Sequence, residues 1–209
     1  MIRILIADDH AIVRRGMRQI LLEQYPTGII AEVDDAAMLI NKVLEEKWDM
    51  IICDMNMPGR SGLDALHQVK QISPETPVLI MSMYPEEQYA LRVLKAGAAG
   101  YLGKETIHDN LIIAIETVLQ GRRFITSSIA EKLADSIGKG SQKPLHELLS
   151  DREFDVFKLL ATGKSITDIA VQMSLSSTTV STYRSRIMEK MDMKSNAELA
   201  RYAIENGLI

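Results

Sequence analysis

The stretch Ile4-Leu5-Ile6-Ala7-Asp8-Asp9 places two carboxylates directly after a short apolar run. Similar apolar runs begin at Met50, Val78 and Gly100, and each leads into a polar side chain. These side chains are Asp54, Ser82 and Lys104. Runs of this length, separated by helix-like stretches, are typical of parallel strands in an open α/β sheet. The sequence therefore predicts an α/β fold with buried strands.

Parallel strands end at the same edge of a sheet, so polar residues that follow them lie close together there. Ligand sites in such folds also lie at this edge, outside the carboxyl ends of the strands. The residues expected at this edge are Asp8, Asp9, Asp54, Ser82 and Lys104. Three neighbouring carboxylates resist ionising together without a cation, and Mg2+ prefers hard oxygen ligands of this kind. An aspartate can also act as a nucleophile and form an acyl phosphate. The set therefore indicates a metal-assisted phosphoryl site.

Each of these residues also has a simpler interpretation. An acidic side chain at the end of a strand can be merely solvated, the pair Asp8-Asp9 can cap a helix, and Lys104 can lie on the surface. The joint occurrence of all the residues at four strand ends favours the phosphoryl site over these alternatives.

The size and composition of the chain limit its class. At 209 residues it has room for two domains. Its net charge of -4 argues against indiscriminate binding to polyanions. The one cysteine, Cys53, excludes an internal disulfide and is typical of a reducing compartment. The first apolar run ends at two aspartates, so we expect no signal peptide, no membrane span and a cytoplasmic location.

Strand and helix patterns alternate over residues 1–121. The five helical stretches are 11–24, 36–47, 62–72, 86–96 and 107–120, and the second strand is expected at 28–33. Five βα units of this kind predict a doubly wound parallel sheet of five strands. The polar, glycine-bearing stretch 136–144 then breaks the pattern, and we interpret residues 122–144 as a connecting helix and linker.

The remaining residues, 145–209, show helical patterns only. Three helix starts match the capping-box pattern, namely Ser150 with Glu153, Ser195 with Glu198 and, more weakly, Ser165 with Asp168. The helices are expected at 151–161, 166–173, 177–191 and 196–206. This organisation predicts a small all-α domain with a helix-turn-helix at its centre.

The helix at 177–191 has one apolar face, formed by Val180, Tyr183, Ile187 and Met191. Its other positions carry short hydroxyls and arginines, which can reach base edges and phosphates from the major groove of double-stranded DNA. The predicted DNA-contacting residues are Thr178, Thr179, Ser181, Thr182, Arg184, Ser185 and Arg186. Residues 145–209 carry eight basic and nine acidic side chains. That balance leaves a helical protein-interaction bundle as an equal alternative.

Residues 1–121 resemble the receiver domain of bacterial two-component response regulators. The motifs that carry the resemblance are Asp8-Asp9-His10, Cys53-Asp54-Met55-Asn56-Met57-Pro58-Gly59, Ser82 and Gly100-Tyr101-Leu102-Gly103-Lys104. The resemblance implies a flavodoxin-like sheet with the strand order 2-1-3-4-5. It also implies that a partner histidine kinase, or a small phosphodonor, phosphorylates Asp54.

The same resemblance implies roles for the other site residues. The implied Mg2+ ligands are Asp8 (mostly through water), Asp9, Asp54 and the main-chain carbonyl of Asn56. The implied switch and phosphoryl-contacting residues are Ser82, Tyr101 and Lys104.

Residues 148–209 resemble the LuxR-type DNA-binding domain of NarL/FixJ regulators. The matching segments are 149–153, 161–170, 176–180 and 201–209. Relatives often have lysine at the position of Ser181 and histidine at that of Tyr183. Their replacement predicts weak DNA binding by a monomer, which a homodimer on paired half-sites would rescue.

Together these features predict a phosphorylation-switched transcription regulator rather than an enzyme. Two other interpretations are weaker. A DNA-binding protein with a vestigial receiver would be expected to lose a member of the acidic set. A metal-dependent phosphatase acting on small substrates would be expected to have a second acid at the position of Asn56.

Overall fold

The computed structural model describes residues 1–57, 61–131 and 144–209. The chain forms two compact units, Met1–Ile137 and Gly138–Ile209, and the division between them along the sequence falls in the predicted connecting segment. The predicted linker at 136–144, apart from its last residue, and the motif residues Pro58 and Gly59 lie outside the described residues. No helix in the described part of the chain is long and apolar enough to cross a membrane.

The first unit is built on a parallel sheet of five strands. They are β1 (Arg3–Ala7), β2 (Ile29–Val33), β3 (Met50–Asp54), β4 (Val78–Ser82) and β5 (Gly100–Gly103). Their order is β2-β1-β3-β4-β5, and every pairing is parallel. This is the doubly wound, flavodoxin-like order, and it confirms the predicted fold class.

Helices connect the strands and cover the sheet. They are α1 (Ala11–Gln24), α2 (Ala36–Glu45), α3 (Gly62–Ile72), α4 (Glu86–Lys95) and α5 (Ile107–Leu119). A short 3-10 turn, Lys104–Thr106, joins β5 to α5. The predicted helix bounds agree with the observed ones to within two residues. The largest difference is at the end of α2, where Glu46 takes an extended conformation and stops the helix.

The core of this unit lies on both faces of the central strands. All residues of β3 and β4 are buried, as continuous apolar runs in a doubly wound sheet require. One face packs against α1 and α5, through Met17 and Leu21 of the first helix and Leu111 and Ile115 of the second. Burial of the strands leaves their polar last residues at the edge of the sheet.

Gly62 allows α3 to begin directly against the end of β3. Its amide donates to the Met55 carbonyl at 2.8 Å. A Cβ atom at this position would lie 2.1 Å from the Asp54 carbonyl oxygen, so a larger residue fits only if the backbone moves. A complete capping box between Ser61 and Asp64 fixes the first turn of the helix.

The second unit is helical. Its helices are α6 (Asp151–Ala161), α7 (Ile166–Gln172), α8 (Ser177–Met191) and α9 (Asn196–Glu205). The predicted bounds agree with these to within one residue. The core includes Phe154 of α6, Val180 of α8 and Leu199 of α9, all fully buried. Helices α7 and α8 form the predicted helix-turn-helix, and Ser174 takes a left-handed conformation in the turn between them.

The capping predictions for this unit are partly correct. Ser150 and Ser165 each take part in a complete capping box. Ser195 accepts a hydrogen bond from the Glu198 amide, but the Glu198 carboxylate accepts from the amide of Lys194 at 2.8 Å. The predicted box at Ser195 is therefore incomplete, because the carboxylate reaches one residue further back along the chain.

We expect Gly62→Ala to destabilise the first unit by roughly 1–3 kcal/mol, because the added methyl group meets main-chain atoms of Asp54. Gly16→Ala is the matched control, since nothing lies within 4 Å of a Cβ atom at that position and alanine favours a helix. Urea unfolding followed by the fluorescence of Trp48, the only tryptophan, measures both variants. A Gly62→Ala protein as stable as the wild type would show that the backbone contact is not restrictive.

Candidate functional site

The carboxyl edge of the sheet brings together the acidic residues at the ends of β1 and β3. One ligand atom from each of Asp8, Asp9, His10 and Asp54 lies within 4.8 Å of the others. Asp8 and Asp54 are buried, whereas Asp9 and His10 are exposed. The structure therefore gathers the three predicted acids into one acidic cluster, in which the two inner carboxylates are removed from solvent.

Lys104 supplies the positive charge beside this acidic cluster. Its ammonium nitrogen lies 2.6 Å from Asp8 Oδ2 and 2.9 Å from Asp54 Oδ2, and its side chain is 7% exposed. Both oxygens are buried, so the contacts with Lys104 are what balances their charge. One ammonium group against two buried carboxylates leaves the pocket with a net negative charge.

Burial changes the proton affinity of the acidic cluster. It raises the pKa of Asp54 to about 6, although hydrogen bonds from Lys104 and from the Asn56 amide act in the opposite direction. Burial by itself lowers the pKa of Lys104, but hydrogen bonds to Asp8 and Asp54 outweigh it and hold the pKa above its ordinary value. At neutral pH, Asp54 is therefore mostly ionised and Lys104 is charged.

Two residues at the start of α1 contact Asp8 and Asp9. The sequence analysis did not assign this role to them. His10 is the N-cap of α1, and its Nδ1 atom lies 2.6 Å from Asp9 Oδ1 and 3.2 Å from Asp8 Oδ1. Arg14 donates from Nη1 to the main-chain oxygen of Asp8 at 2.6 Å. Their proximity to Asp8 along the chain was the only available sequence signal.

Asn56, the fourth implied metal ligand, is exposed in the loop after β3. Its main-chain amide donates to the Asp54 side chain, and it pairs with Ser61 in an isolated antiparallel bridge. The loop therefore places the main chain of Asn56 beside the acidic cluster.

Ser82 and Tyr101 are joined through the main chain of Tyr84. The Tyr84 amide donates to Ser82 Oγ at 3.0 Å, and the Tyr101 hydroxyl donates to the Tyr84 carbonyl at 2.7 Å. Both Ser82 and Tyr101 are buried. A rotation of the Ser82 side chain therefore alters its hydrogen bond with the Tyr84 amide. Tyr101 is hydrogen-bonded to the same residue.

The predicted DNA-contacting residues divide into two groups on α8. The exposed ones are Thr178, Ser181, Thr182, Ser185 and Arg186. Thr179 and Arg184 are only partly exposed, and both bond within the domain. The Thr179 hydroxyl lies 2.8 Å from Ser176 Oγ, and Arg184 Nε donates to Asn196 Oδ1 at 2.9 Å. The structure therefore brings five of the seven onto the exposed face of the helix.

Two of the exposed hydroxyls of α8 donate to their own helix. Thr182 Oγ1 donates to the Thr178 carbonyl at 3.0 Å, and Ser185 Oγ donates to the Ser181 carbonyl at 3.1 Å. Each hydroxyl oxygen keeps its acceptor capacity towards solvent. Such a surface can accept hydrogen bonds from base edges in a major groove, but it carries little charge for phosphates.

Two family models match the chain, one in each unit. The response regulator receiver domain matches residues 4–116, and the luxR family of bacterial regulatory proteins matches residues 147–203. The chain belongs to the LuxR-type response regulators. This family consists of transcription factors and is not an enzyme class, so the predicted family and regulatory function are confirmed.

This response regulator is similar to known proteins along nearly its whole length. It is 36% identical to the oxygen regulatory protein NreC of Staphylococcus epidermidis, over 99% of each chain. One matching structure is RcsB from Salmonella enterica serovar Typhimurium, bound to promoter rprA in the presence of phosphomimetic BeF3-. The match has 26% identity and a TM-score of 0.66, and it covers 96% of this chain and 97% of that chain. A structure of two RcsB dimers bound to two parallel DNAs matches with 26% identity, a TM-score of 0.60 and the same coverage, 96% and 97%.

We expect Asp54→Asn to stabilise the metal-free receiver at about pH 7.5 by up to about 3 kcal/mol. The native pKa of Asp54 is about 6, against an ordinary value of 3.8, so the native state binds this proton more tightly than the unfolded chain. Wild-type stability is therefore lost as the pH rises through about 6. The advantage of the variant should shrink below that pH and vanish below about pH 4. Urea unfolding in EDTA, followed by Trp48 fluorescence, measures the difference.

Asp34→Asn is the control for this experiment, because Asp34 is exposed and its replacement should change stability little. A stabilisation by Asp54→Asn that stays constant between about pH 4 and pH 8 would be inconsistent with the raised pKa.

Proposed function

We propose that this regulator is switched by phosphorylation of Asp54, either by a partner histidine kinase or by a small phosphodonor. The observation that supports the proposal is the buried Asp54 carboxylate, 2.9 Å from the Lys104 ammonium and beside the carboxylates of Asp8 and Asp9. A carboxylate held next to a fixed cation and to metal-ligating oxygens can act as a nucleophile towards a phosphoryl group. Membership of the receiver family supports the same role.

The acidic cluster fits Mg2+. Its donors are carboxylate oxygens, which this ion prefers, and two of them, Asp8 Oδ2 and Asp54 Oδ2, are buried beside the Lys104 ammonium group. The residues proposed to hold the ion are Asp8, Asp9, Asp54 and the main-chain carbonyl of Asn56. Bound Mg2+ would supply positive charge that lets a phosphoryl anion approach a carboxylate.

The side chains of the receiver carry the phosphoryl transfer. An Asp54 carboxylate oxygen forms a bond to phosphorus while the bond from phosphorus to the leaving atom of the donor breaks. Lys104 neutralises charge on the transferred group, and the Ser82 hydroxyl donates a hydrogen bond to it. Asp54 reacts in its ionised form, which dominates at neutral pH because its pKa is about 6.

Phosphorylation reaches the rest of the receiver through Ser82 and Tyr101. When the Ser82 hydroxyl turns towards the phosphoryl group, its contact with the Tyr84 amide weakens. The Tyr101 hydroxyl donates a hydrogen bond to the Tyr84 carbonyl, so Tyr101 follows the movement of Tyr84. The segment before α4 therefore has two arrangements, and the one selected by phosphorylation favours a homodimer.

The active form binds double-stranded DNA through α8. The residues proposed to face the major groove are Thr178, Ser181, Thr182, Ser185 and Arg186, which are exposed, with Thr179 and Arg184 at the edge of this face. Eight basic against nine acidic residues in 145–209 make binding by one copy weak, so two copies on paired half-sites are needed. The structure of RcsB dimers bound to DNA supports this arrangement. A regulator that receives phosphate from a kinase and binds DNA acts in the cytoplasm.

Acetyl phosphate with Mg2+ should phosphorylate the wild-type protein and leave Asp54→Asn unmodified, because a neutral amide does not replace the carboxylate nucleophile. A phosphate-affinity gel measures the modified fraction, and cleavage by hydroxylamine identifies an acyl phosphate. EDTA should suppress the reaction, since the negatively charged cluster then repels the donor.

Asp34→Asn, an exposed carboxylate of the same domain, should be phosphorylated like the wild type. Equal modification of Asp54→Asn would place the phosphoacceptor at another residue. Complete phosphorylation with no change in oligomeric state or DNA affinity would show instead that the receiver does not control DNA binding.

Ser181→Lys should strengthen binding to DNA of any sequence, because it adds one positive charge to the exposed face of α8. A plot of log Kd against log salt concentration should become steeper by about 1. Fluorescence anisotropy with a labelled duplex measures this slope. Ile204→Lys is the control, since Ile204 is exposed on α9. The same gain from that variant would mean that the effect of Ser181→Lys is not specific to α8.

A further inference from the structure

Polar contacts tie both flanks of α8 to neighbouring helices. The buried line of this helix contains Val180, Ile187 and Met191. At about 100° per residue, Arg184 lies about 40° to one side of Val180 and Lys190 lies about 80° to the other side. Arg184 contacts α9 and Lys190 contacts α6. Helix α8 is therefore held from two directions around its axis.

On the α9 side, Arg184 donates from Nε to Asn196 Oδ1 at 2.9 Å. Asn196 is the first residue of α9, and the Ser195 side chain caps this helix by accepting from the Glu198 amide at 3.2 Å. The acceptor for Arg184 is therefore part of a fixed helix start. By contrast, the Arg186 side chain is exposed and makes no hydrogen bond or ion pair with the rest of the described chain.

On the α6 side, Lys190 Nζ lies 2.6 Å from Glu153 Oε2. The Glu153 side chain is 4% exposed and also accepts from the Ser150 amide at 2.8 Å, within the capping box of α6. Burial raises the pKa of Glu153, but the hydrogen bonds from Lys190 and Ser150 outweigh it and hold the pKa below its ordinary value. The contact is therefore an ion pair at neutral pH, anchored in the first turn of α6.

We propose that Arg184 and Asn196 are a positioning pair for α8, and that Arg184 holds this helix in place instead of contacting DNA. The inference rests on the proposed DNA-binding role of α8. Together with the ion pair between Lys190 and Glu153 on the other flank, the pair fixes the rotation of α8 about its own axis.

This rotation matters because the side chains proposed to meet the bases are short. The hydroxyls of Ser181, Thr182 and Ser185 have one-carbon stems, so they cannot reach further to compensate for a displaced helix, as a lysine could. Productive contacts at such sites depend on geometry held to within about 0.5 Å and 10–20°. A side chain that sets the rotation of α8 therefore acts on sequence recognition without touching the DNA.

Binding measurements on the full-length protein separate positioning from direct contact. The probe is a labelled duplex that the wild type selects from a random pool, with an unselected duplex of equal length as reference. Arg184→Met and Asn196→Ala should each weaken binding to the selected duplex about 3- to 10-fold, with little change on the reference. The double variant should bind no more weakly than Arg184→Met alone, because both substitutions remove one interaction.

The salt dependence of binding identifies the role of each arginine. In Arg184→Met, the slope of log Kd against log salt concentration should equal that of the wild type, because no phosphate contact is lost. Arg186→Met is the matched control on the same helix, and its slope should be smaller by about 1.

An NMR measurement tests the pair without DNA. The 15N–1H signal of Arg184 Nε should be protected from exchange with water in the wild type. It should stay protected in Asn196→Asp, which keeps an acceptor oxygen, and lose its protection in Asn196→Ala. Far-UV circular dichroism checks that each variant keeps its helices.

Three results would overturn the proposal. The first is an Arg184→Met slope smaller by about 1, which would make Arg184 a phosphate contact. The second is a lack of coupling between the two positions, seen either as additive effects of the two substitutions or as wild-type affinity of Asn196→Ala. The third is an unprotected Nε signal in the wild type, whatever the DNA result. Failure of the wild type to select any sequence would instead refute the proposed sequence-specific function, and the NMR signal distinguishes that outcome from failure of the pair.

Discussion

The ion pairs of Lys104 with Asp8 and Asp54 hold together a site whose parts come from three separate strands. The ends of β1, β3 and β5 meet here, and the carboxylates would repel each other without an ammonium group between them. A single cation against two buried carboxylates still leaves negative charge uncompensated. Burial of the carboxylate raises the pKa of Asp54 above its ordinary value. The uncompensated negative charge is what the proposed binding of a divalent cation would balance.

Two hydrogen bonds join Ser82 and Tyr101 to one residue of the receiver, Tyr84. Ser82 and Tyr101 are both buried, and both bond to the main chain of Tyr84. Because closely packed interiors change between discrete arrangements and do not deform continuously, a small rotation at Ser82 can be converted into a displacement of the chain before α4. The proposed switch therefore depends on shared contacts and does not need a large movement of Asp54.

The DNA-binding unit works under a different constraint, since it has little net charge with which to hold phosphates. The surface of α8 that is proposed to contact DNA consists mainly of exposed short hydroxyl side chains, whose reach is limited. Specific binding by such a surface requires an accurately oriented helix and two copies acting together. The contacts of Arg184 and Lys190 with the neighbouring helices would serve the first requirement, and the proposed homodimer would serve the second.

The amino-acid sequence by itself determined the strands, the helices and the acids at the strand ends, because these depend on local periodicity and on residues a few positions apart. Apolar runs became β3 and β4, and the serines at 150 and 165 began α6 and α7 as predicted. Only the tertiary structure decided which remote groups touch. It placed the Lys104 ammonium between two carboxylates and turned Arg184 towards Asn196. These contacts depend on how separate elements pack in three dimensions, and no local pattern along the chain encodes those distances.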